Sequence, residues 1–232
     1  MREVVPDIYM VEGLRQSHVY VLDTGEGLAM VDTGVGGDAT KIVADLEAAG
    51  YSLSDLRAIV VTHAHGDHIG GLAELVHRSG AQVLAHEDEV PYLEQTASLS
   101  YGSPLRRFLG WVMARMDRSP PCPVDRALHD GEEVDVLGGF QVVHAPGHTP
   151  GCIVLYHPER RVLFSGDVLF HGNPLSGKGP VQSPPSFFSV DPGGAEASAR
   201  QVAALPVEVV CFGHGEPLTE GAAEVLAPLR AS

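Results

Sequence analysis

The chain has 232 residues, and its 30 Asp and Glu against 15 Lys and Arg give a formal net charge of −15. This charge argues against a nucleic-acid partner and against an anionic membrane surface, because both kinds of binding depend on cationic side chains. The hydrophobic content of 44% is typical of a globular protein, and no apolar run approaches the roughly 20 residues of a membrane span. We therefore expect a globular protein with no nucleic-acid partner and no membrane partner.

The N-terminus and the cysteines both bear on the cellular compartment. Residues 1–7 contain no long apolar segment, so we predict no secretory signal. Cys122, Cys152 and Cys211 are odd in number and widely spaced, which does not fit a disulfide framework. A cytoplasmic location is the resulting expectation.

Short apolar runs predict strands in an early and a late set, and helical spacing predicts helices after each set. The predicted strands cover residues 8–11, 19–22, 28–31, 58–61, 82–85, 141–144, 153–156, 162–164 and 207–212. The predicted helices cover residues 40–49, 71–77, 86–95, 195–204 and 221–229. This order favours an α/β (α+β) chain with two packed sheets flanked by helices, forming a single domain over residues 1–232.

Two segments interrupt this order. Apolar residues at helical spacing over 103–116 predict a helix within an insertion around residues 95–121. Packing on the body of the protein, covering an active site and forming a homodimer contact are the three roles left open for that helix. The second segment is a loop around residues 172–190, where Gly, Pro and Ser predominate up to residue 185 without periodicity. Long loops of this kind often carry function.

A histidine-rich motif follows the predicted strand 58–61. His63 and His65 lie two residues apart in an extended stretch, so both side chains can bind one ion. Gly66 permits a turn that brings Asp67 and His68 to a second position nearby. Imidazole and carboxylate groups are preferred zinc ligands. The alternative is a polar loop that is rich in histidine by chance, and at this chain's His and Asp content the motif would arise by chance in roughly one such chain in 500. The motif therefore predicts a metal site.

Two metal ions need more ligands than this motif supplies. His148, Asp167 and His214 each follow a strand-like run and a glycine, which allows the backbone to turn sharply toward an ion. Taken alone, each of the three is better explained as an ordinary turn residue. Their occurrence together with the first motif favours a shared site.

These motifs resemble the metallo-β-lactamase-fold hydrolase superfamily, in order and in spacing. Asp-Thr-Gly at 32–34, Pro-Gly-His-Thr-Pro-Gly at 146–151 and Ser-Gly-Asp at 165–167 extend the resemblance over nearly the whole chain. It implies a four-layer αββα sandwich, the metallo-β-lactamase fold. The metal ligands that it implies are His63, His65 and His148 for a first ion, Asp67, His68 and His214 for a second, and Asp167 as the bridge.

The resemblance also implies a chemistry. Two divalent ions, zinc first and iron or manganese as alternatives, would hold a bridging hydroxide that attacks the carbonyl of a small ester, lactone or thioester. Asp67 would be the catalytic residue that orients the water or passes its proton to the leaving group. Asp167 makes the chain similar to glyoxalase II and the lactonases rather than to true β-lactamases. The lactonases usually carry a tyrosine where Phe170 stands, and the chain shows no glyoxalase II-like C-terminal extension.

Two other functions remain open: an iron-dependent oxidoreductase similar to persulfide dioxygenases, and a metal-binding scaffold without activity. Around the ions, Asp32 is expected either to hydrogen-bond a ligand imidazole or to cap a turn. His18, Phe170 and His171 are candidates for the substrate pocket. By contrast, His144 is expected to be a strand residue.

Overall fold

The computed structural model describes residues 1–102, 119–135, 138–173 and 179–230, and two β-sheets organise this part of the chain. The first sheet has seven strands in the order β1 (Arg2–Val5), β2 (Ile8–Met10), β3 (Tyr20–Asp23), β4 (Leu28–Val31), β5 (Leu56–Val61), β6 (Gln82–His86) and β7 (Arg126–Leu128). Strands β1 to β4 pair antiparallel, and β4 to β7 pair parallel.

The second sheet has five strands in the order β14 (Val209–Phe212), β11 (Val162–Gly166), β10 (Ile153–His157), β9 (Phe140–His144) and β8 (Glu133–Val134). Only β11 and β14 pair parallel in this sheet. A separate two-stranded ribbon joins β12 (Phe170–His171) to β13 (Val181–Gln182). The two sheets correspond to the early and late sets of predicted strands.

The helices are α1 (Asp38–Ala48), α2 (Gly66–Ile69), α3 (Leu72–Ser79), α4 (Val90–Leu93), α5 (Pro192–Ala203), α6 (Ala222–Val225) and α7 (Ala227–Arg230). Short 3-10 turns lie at Leu53–Asp55 and Glu87–Glu89. None of the helices among the described residues is long and apolar enough to cross a membrane.

Three apolar cores define the layers. Tyr20 and Val60 of the first sheet pack with Phe140 and Phe164 of the second, forming the core between the sheets. The outer face of the first sheet packs against α1 and α3, and the outer face of the second packs against α5 and α6. The order helix, sheet, sheet, helix is the predicted αββα sandwich, which the structure confirms.

Several predicted elements differ from the structure. The helix expected over 86–95 is wrong, because His86 ends β6 and only one helical turn, α4, follows the 3-10 turn. The helix expected over 221–229 is divided into α6 and α7, since Pro228 has no N–H to continue the ladder of α6. The loop around 172–190 contains β13. The predicted helix over 103–116 lies outside the described residues.

Candidate metal centre

The candidate ligands lie just after the carboxyl ends of β5, β9, β11 and β14, with Asp67 and His68 in the short helix α2. Their donor atoms form two groups, and within each group the atoms lie within 4.8 Å of one another. The first group comprises His63, His65, His148 and Asp167. The second group comprises Asp67, His68 and His214. The structure thus brings all seven predicted ligands together, and their role as ligands remains a prediction.

In the first group, the imidazole nitrogens point at one another and at a carboxylate. His63 Nε2 lies 3.1 Å from His65 Nδ1, and His148 Nε2 lies 3.3 Å from Asp167 Oδ2. His63 and His148 are buried, so both rings are fixed by the surrounding protein. This group offers three imidazoles and one carboxylate, a donor set suited to zinc or another transition metal.

Asp167 also contacts the second group. Its Oδ1 lies 3.2 Å from His68 Nε2, and its Oδ2 lies 3.4 Å from His214 Nε2. Asp67 Oδ2 lies 3.2 Å from His214 Nε2 and 3.8 Å from His68 Nε2. One carboxylate therefore lies between the two groups, where a bridging ligand would have to be.

Three buried atoms of this centre form no hydrogen bond, although they lie 3.2–3.3 Å from an imidazole or carboxylate atom of the centre: His68 Nε2, His148 Nε2 and Asp167 Oδ1. A buried polar atom without a partner costs about 1–3 kcal/mol, so such atoms are rarely left unpaired in a folded protein. A divalent cation would give each of the three atoms a partner, because imidazole nitrogen and carboxylate oxygen are metal donors. The residues present therefore fit a bound metal.

The charges within the centre also favour cation binding. Burial, followed by the neighbouring imidazole of His148, lowers the pKa of His65 to about 3, so its ring is in the neutral form that a metal ligand requires. Burial alone would raise the pKa of Asp67, but His68 and His214 outweigh it and lower that pKa to about 2. Burial opposes the charge on His214, yet Asp167 and Asp67 raise its pKa to about 9. A metal bound to the second group would therefore displace a proton from this imidazole.

Asp32 orients two of the imidazoles from behind. It follows β4 with φ at 60°, and its Oδ2 accepts from Thr62 Oγ1 at 2.8 Å and lies 2.7 Å from His68 Nδ1. Thr62 Oγ1 in turn lies 3.1 Å from His63 Nδ1. These contacts occupy the outer ring nitrogens and leave Nε2 of both rings for the centre. Of the two predicted roles for Asp32, the structure shows the contact with an imidazole.

The three pocket candidates lie around the loop that carries His214. Phe170 stacks on the His214 ring, with centroids 5.0 Å apart and the planes 8° from parallel. His171 Nδ1 lies 2.6 Å from the carbonyl oxygen of Glu216, so this imidazole contacts the loop backbone. His18 packs edge-to-face against Tyr20 at 6.2 Å. Phe170 is thus the candidate whose ring contacts the centre directly.

Two residues at the centre escaped the sequence-based prediction. Tyr101 Oη lies 2.8 Å from His65 Nε2, on the opposite side of the ring from Nδ1. The buried carboxylate of Glu89 accepts from Ala64 N and from Gly151 N, both at 2.7 Å, and burial raises its pKa to about 7. Glu89 lies in an acidic run that we interpreted as part of a helix, and no pattern marks Tyr101.

A smaller cluster outside the centre combines His86, Asp88 and His144, whose donor atoms also lie within 4.8 Å of one another. The two imidazoles stack, with ring centroids 4.0 Å apart and planes 12° from parallel. His144 is the last residue of β9, which confirms the expectation of a strand residue. We refer to these three residues as the outer cluster.

Comparison with known proteins agrees with this geometry. The family model of the metallo-beta-lactamase superfamily matches residues 13–214. The chain is 28% identical over 226 residues to the probable metallo-hydrolase YflN of Bacillus subtilis, covering 93% of this chain and 82% of that protein. It is 37% identical over 186 residues to hydroxyacylglutathione hydrolase of Pseudomonas aeruginosa, covering 79% of this chain and 54% of that enzyme.

A solved structure carries a metal at a similar fold. The crystal structure of TTHA1623 in a di-iron-bound form is 34% identical to the chain, has a TM-score of 0.65 and covers 89% of this chain and 91% of that one. The family model covers most of the chain, and the fold and the convergence of the seven residues agree with it. The chain belongs to the metallo-beta-lactamase superfamily.

Proposed function

We propose that the chain is a metal-dependent hydrolase that holds two divalent ions, zinc in the first instance, and cleaves a small ester, lactone or thioester. The observation that carries this proposal is the convergence of seven donor side chains in two groups that meet at Asp167. The three buried atoms without hydrogen-bond partners support it further. The relative whose name specifies hydroxyacylglutathione hydrolysis supports an acyl substrate.

Bound at these two groups, the ions would lower the pKa of a water molecule and polarise the carbonyl of the substrate. The other contributions come from the chain. Asp67 is ionised at neutral pH and lies beside His214 in the second group, where its carboxylate can accept a hydrogen bond from the water and pass the proton on to the leaving group. Asp32 and Thr62 keep the imidazoles of His68 and His63 in the orientation that this reaction requires.

The substrate belongs to the acyl class in this proposal, and a glutathione thioester is one member of that class. The chain spans about half the length of the Pseudomonas enzyme, 54% of it, so that enzyme's whole activity is not carried over. Phe170 stacks on His214 and gives the centre an apolar wall, which suits an acyl chain better than a charged group.

The test is a substrate panel measured on the purified, zinc-loaded protein. The panel includes p-nitrophenyl esters, acyl-homoserine lactones, glutathione and coenzyme A thioesters, a phosphodiester and a β-lactam. We expect turnover of at least one ester, lactone or thioester, loss of it on chelation, and recovery when zinc is restored. Full activity in the His148→Ala protein would contradict the proposal, as would exclusive turnover of the β-lactam or the phosphodiester.

A second candidate is an iron-dependent oxidoreductase of the persulfide dioxygenase type, and the relative solved with two irons favours keeping it. Metal analysis after expression in defined medium, combined with an oxygen electrode and glutathione persulfide, separates the two functions. Zinc with no oxygen uptake rejects the oxidoreductase. If the protein contains iron and consumes oxygen in proportion to the added persulfide, the oxidoreductase replaces the hydrolase as its function.

A further inference from the structure

Glu89 is a fully buried carboxylate behind the first group of ligands, in a position where an uncompensated charge would be costly. Its Oε2 accepts from the backbone N–H of Ala64, which lies between His63 and His65. Its Oε1 accepts from the backbone N–H of Gly151, three residues after His148. Both distances are 2.7 Å, at the short end of the range for hydrogen bonds from a backbone N–H.

We propose that Glu89 is a positioning residue for the first metal site, which sets the separation between the loop of His63 and His65 and the loop of His148. This inference rests on the proposed metal centre. A carboxylate is planar and rigid, so two loops that donate to its two oxygens are held at a fixed distance from each other. The three imidazoles of the first group come from these two loops, and their convergence on one ion therefore depends on this link.

The packing around Gly151 supports the same role. A Cβ at this position would lie 2.7 Å from Glu89 N and 2.8 Å from Glu89 Cγ, closer than carbon atoms can approach. Glycine thus allows this backbone to lie directly against the backbone and Cγ of Glu89. A parallel link, from Ile153 N to Thr62 O at 3.0 Å, joins the same two loops near their bases and leaves the Glu89 bonds as the link nearest to the ligands.

The second group is held by other contacts. Asp32 orients His68 through Nδ1, and Thr33 donates from both its N and its Oγ1 to His68 O, at 2.7 and 2.9 Å. The two backbone hydrogen bonds that Glu89 accepts come from Ala64 and Gly151, and neither involves Asp67, His68 or His214. Loss of the Glu89 link should therefore weaken the first site and spare the second.

The experiment uses the full-length protein in two backgrounds, each reduced to one group. His214→Ala disables the second group, and His63→Ala disables the first. Glu89→Gln is added to each, because glutamine keeps the size of glutamate but turns an NH2 group toward one of the two backbone donors. Zinc Kd is measured by competition with a chromophoric chelator, which does not depend on turnover. Glu87→Gln is the matched control, since Glu87 is exposed and its carboxylate lies 3.0 Å from Nδ1 of the exposed His129.

We expect Glu89→Gln to raise the zinc Kd of the His214→Ala protein by about 10- to 100-fold, the range found for groups that orient metal ligands. In the His63→Ala protein the Kd should change less than about threefold, as for Glu87→Gln in either background. An unchanged Kd in the His214→Ala protein, or an equal rise in both backgrounds, would overturn the positioning role.

Two further outcomes keep this test separate from the proposed function. If Glu89→Gln does not fold, as judged by circular dichroism, Gly151→Ala replaces it, because the added methyl pushes on the same link while leaving the carboxylate in place. The zinc Kd values of Gly151→Ala in the two backgrounds are then compared in the same way and decide whether Glu89 positions the first site. A selective rise in Kd without any hydrolysis overturns the proposed activity and leaves the role of Glu89 intact. A His63→Ala protein that binds no zinc contradicts the two-ion centre.

Discussion

The metal centre and the outer cluster are both sets of histidine and aspartate with donor atoms closer than 4.8 Å, yet their hydrogen bonding differs. In the centre, Nε2 of His68 and Nε2 of His148 are buried and form no hydrogen bond, although each lies close to an oxygen of Asp167. In the outer cluster, His86 Nδ1 accepts from the backbone N–H of Asp88 at 3.2 Å. His144 Nε2 lies 2.9 Å from the carbonyl oxygen of Pro150. In the outer cluster, the protein backbone therefore provides the partners that an ion would otherwise supply to these nitrogens.

The orientation of the rings differs as well. The lone pair of an imidazole lies in the plane of its ring, so two nearly parallel rings direct their lone pairs side by side. The planes of His86 and His144 are 12° apart, whereas those of His65 and His148 are 89° apart and those of His68 and His214 are 72° apart. Proximity of donors is thus a poor criterion for a metal site, and unpaired buried atoms with converging lone pairs are a better one.

The largest expected effect comes from removing the shared carboxylate. Asp167→Ala takes a donor from both groups, and we expect zinc content to fall well below two per chain. Hydrolysis should fall by about a thousandfold or more, because the ions supply several kcal/mol of transition-state stabilisation. Asp88→Ala is the matched change in the outer cluster and should retain both zinc and activity. Equal losses in the two variants would contradict the distinction between the clusters.

Removal of the metal by a chelator should lower the thermal stability of the protein. A ligand present at a thousand times its Kd stabilises the native state by about 4 kcal/mol, and for a chain of this size that corresponds to about 10 °C in Tm. Differential scanning calorimetry with and without EDTA measures the shift. We expect the same shift in the His86→Gln protein, and a smaller one in Asp167→Ala. A Tm that does not respond to EDTA would mean that the centre does not bind metal.

Asp32→Asn tests the support behind the second group. Asparagine keeps the shape, but one of its two oxygens becomes an NH2 group, so it cannot accept from Thr62 N, Thr62 Oγ1 and His68 Nδ1 together. We expect zinc affinity at the second group to fall by about 10- to 100-fold. Chelator competition in the His63→Ala background gives this Kd. A Kd equal to that of the parent would show that Asp32 only stabilises the turn after β4.

The smallest effect is expected in the outer cluster. His86→Gln removes one stacked ring, which should cost about 1 kcal/mol of the free energy of unfolding and leave zinc content and turnover within about twofold. Urea denaturation measures the free energy of unfolding, metal analysis measures the zinc content, and an activity assay measures turnover. Loss of one zinc ion per chain in His86→Gln would identify the outer cluster as a metal site after all.

The parts of the site that the sequence predicted are those encoded locally. His63, His65, Asp67 and His68 lie in one short run directly after β5, and His148, Asp167 and His214 each follow a strand and a glycine. Their side chains converge because β9, β11 and β14 run in the same direction and end at one edge of the second sheet, and β5 of the first sheet ends on the same side of the sandwich. This rule needs only the order of the elements.

The missed features depend on contacts between distant parts of the chain. Glu89 lies in an acidic run, and its burial follows from two N–H donors 25 and 62 residues away. Strand β7 has three residues, two of them exposed, so its sequence shows no strand pattern before it pairs with β6. The expected helix over 86–95 failed because its apolar spacing is satisfied by a single turn, α4.

Zinc stoichiometry tests the central claim most directly. After equilibrium dialysis against buffered zinc, mass spectrometry of the metal should give two ions per chain for the parent protein and for the His86→Gln His144→Gln double variant. Asp167→Ala should give fewer under the same conditions. A parent protein with no bound zinc would contradict the account, and so would a double variant of the outer cluster that loses an ion while Asp167→Ala retains both.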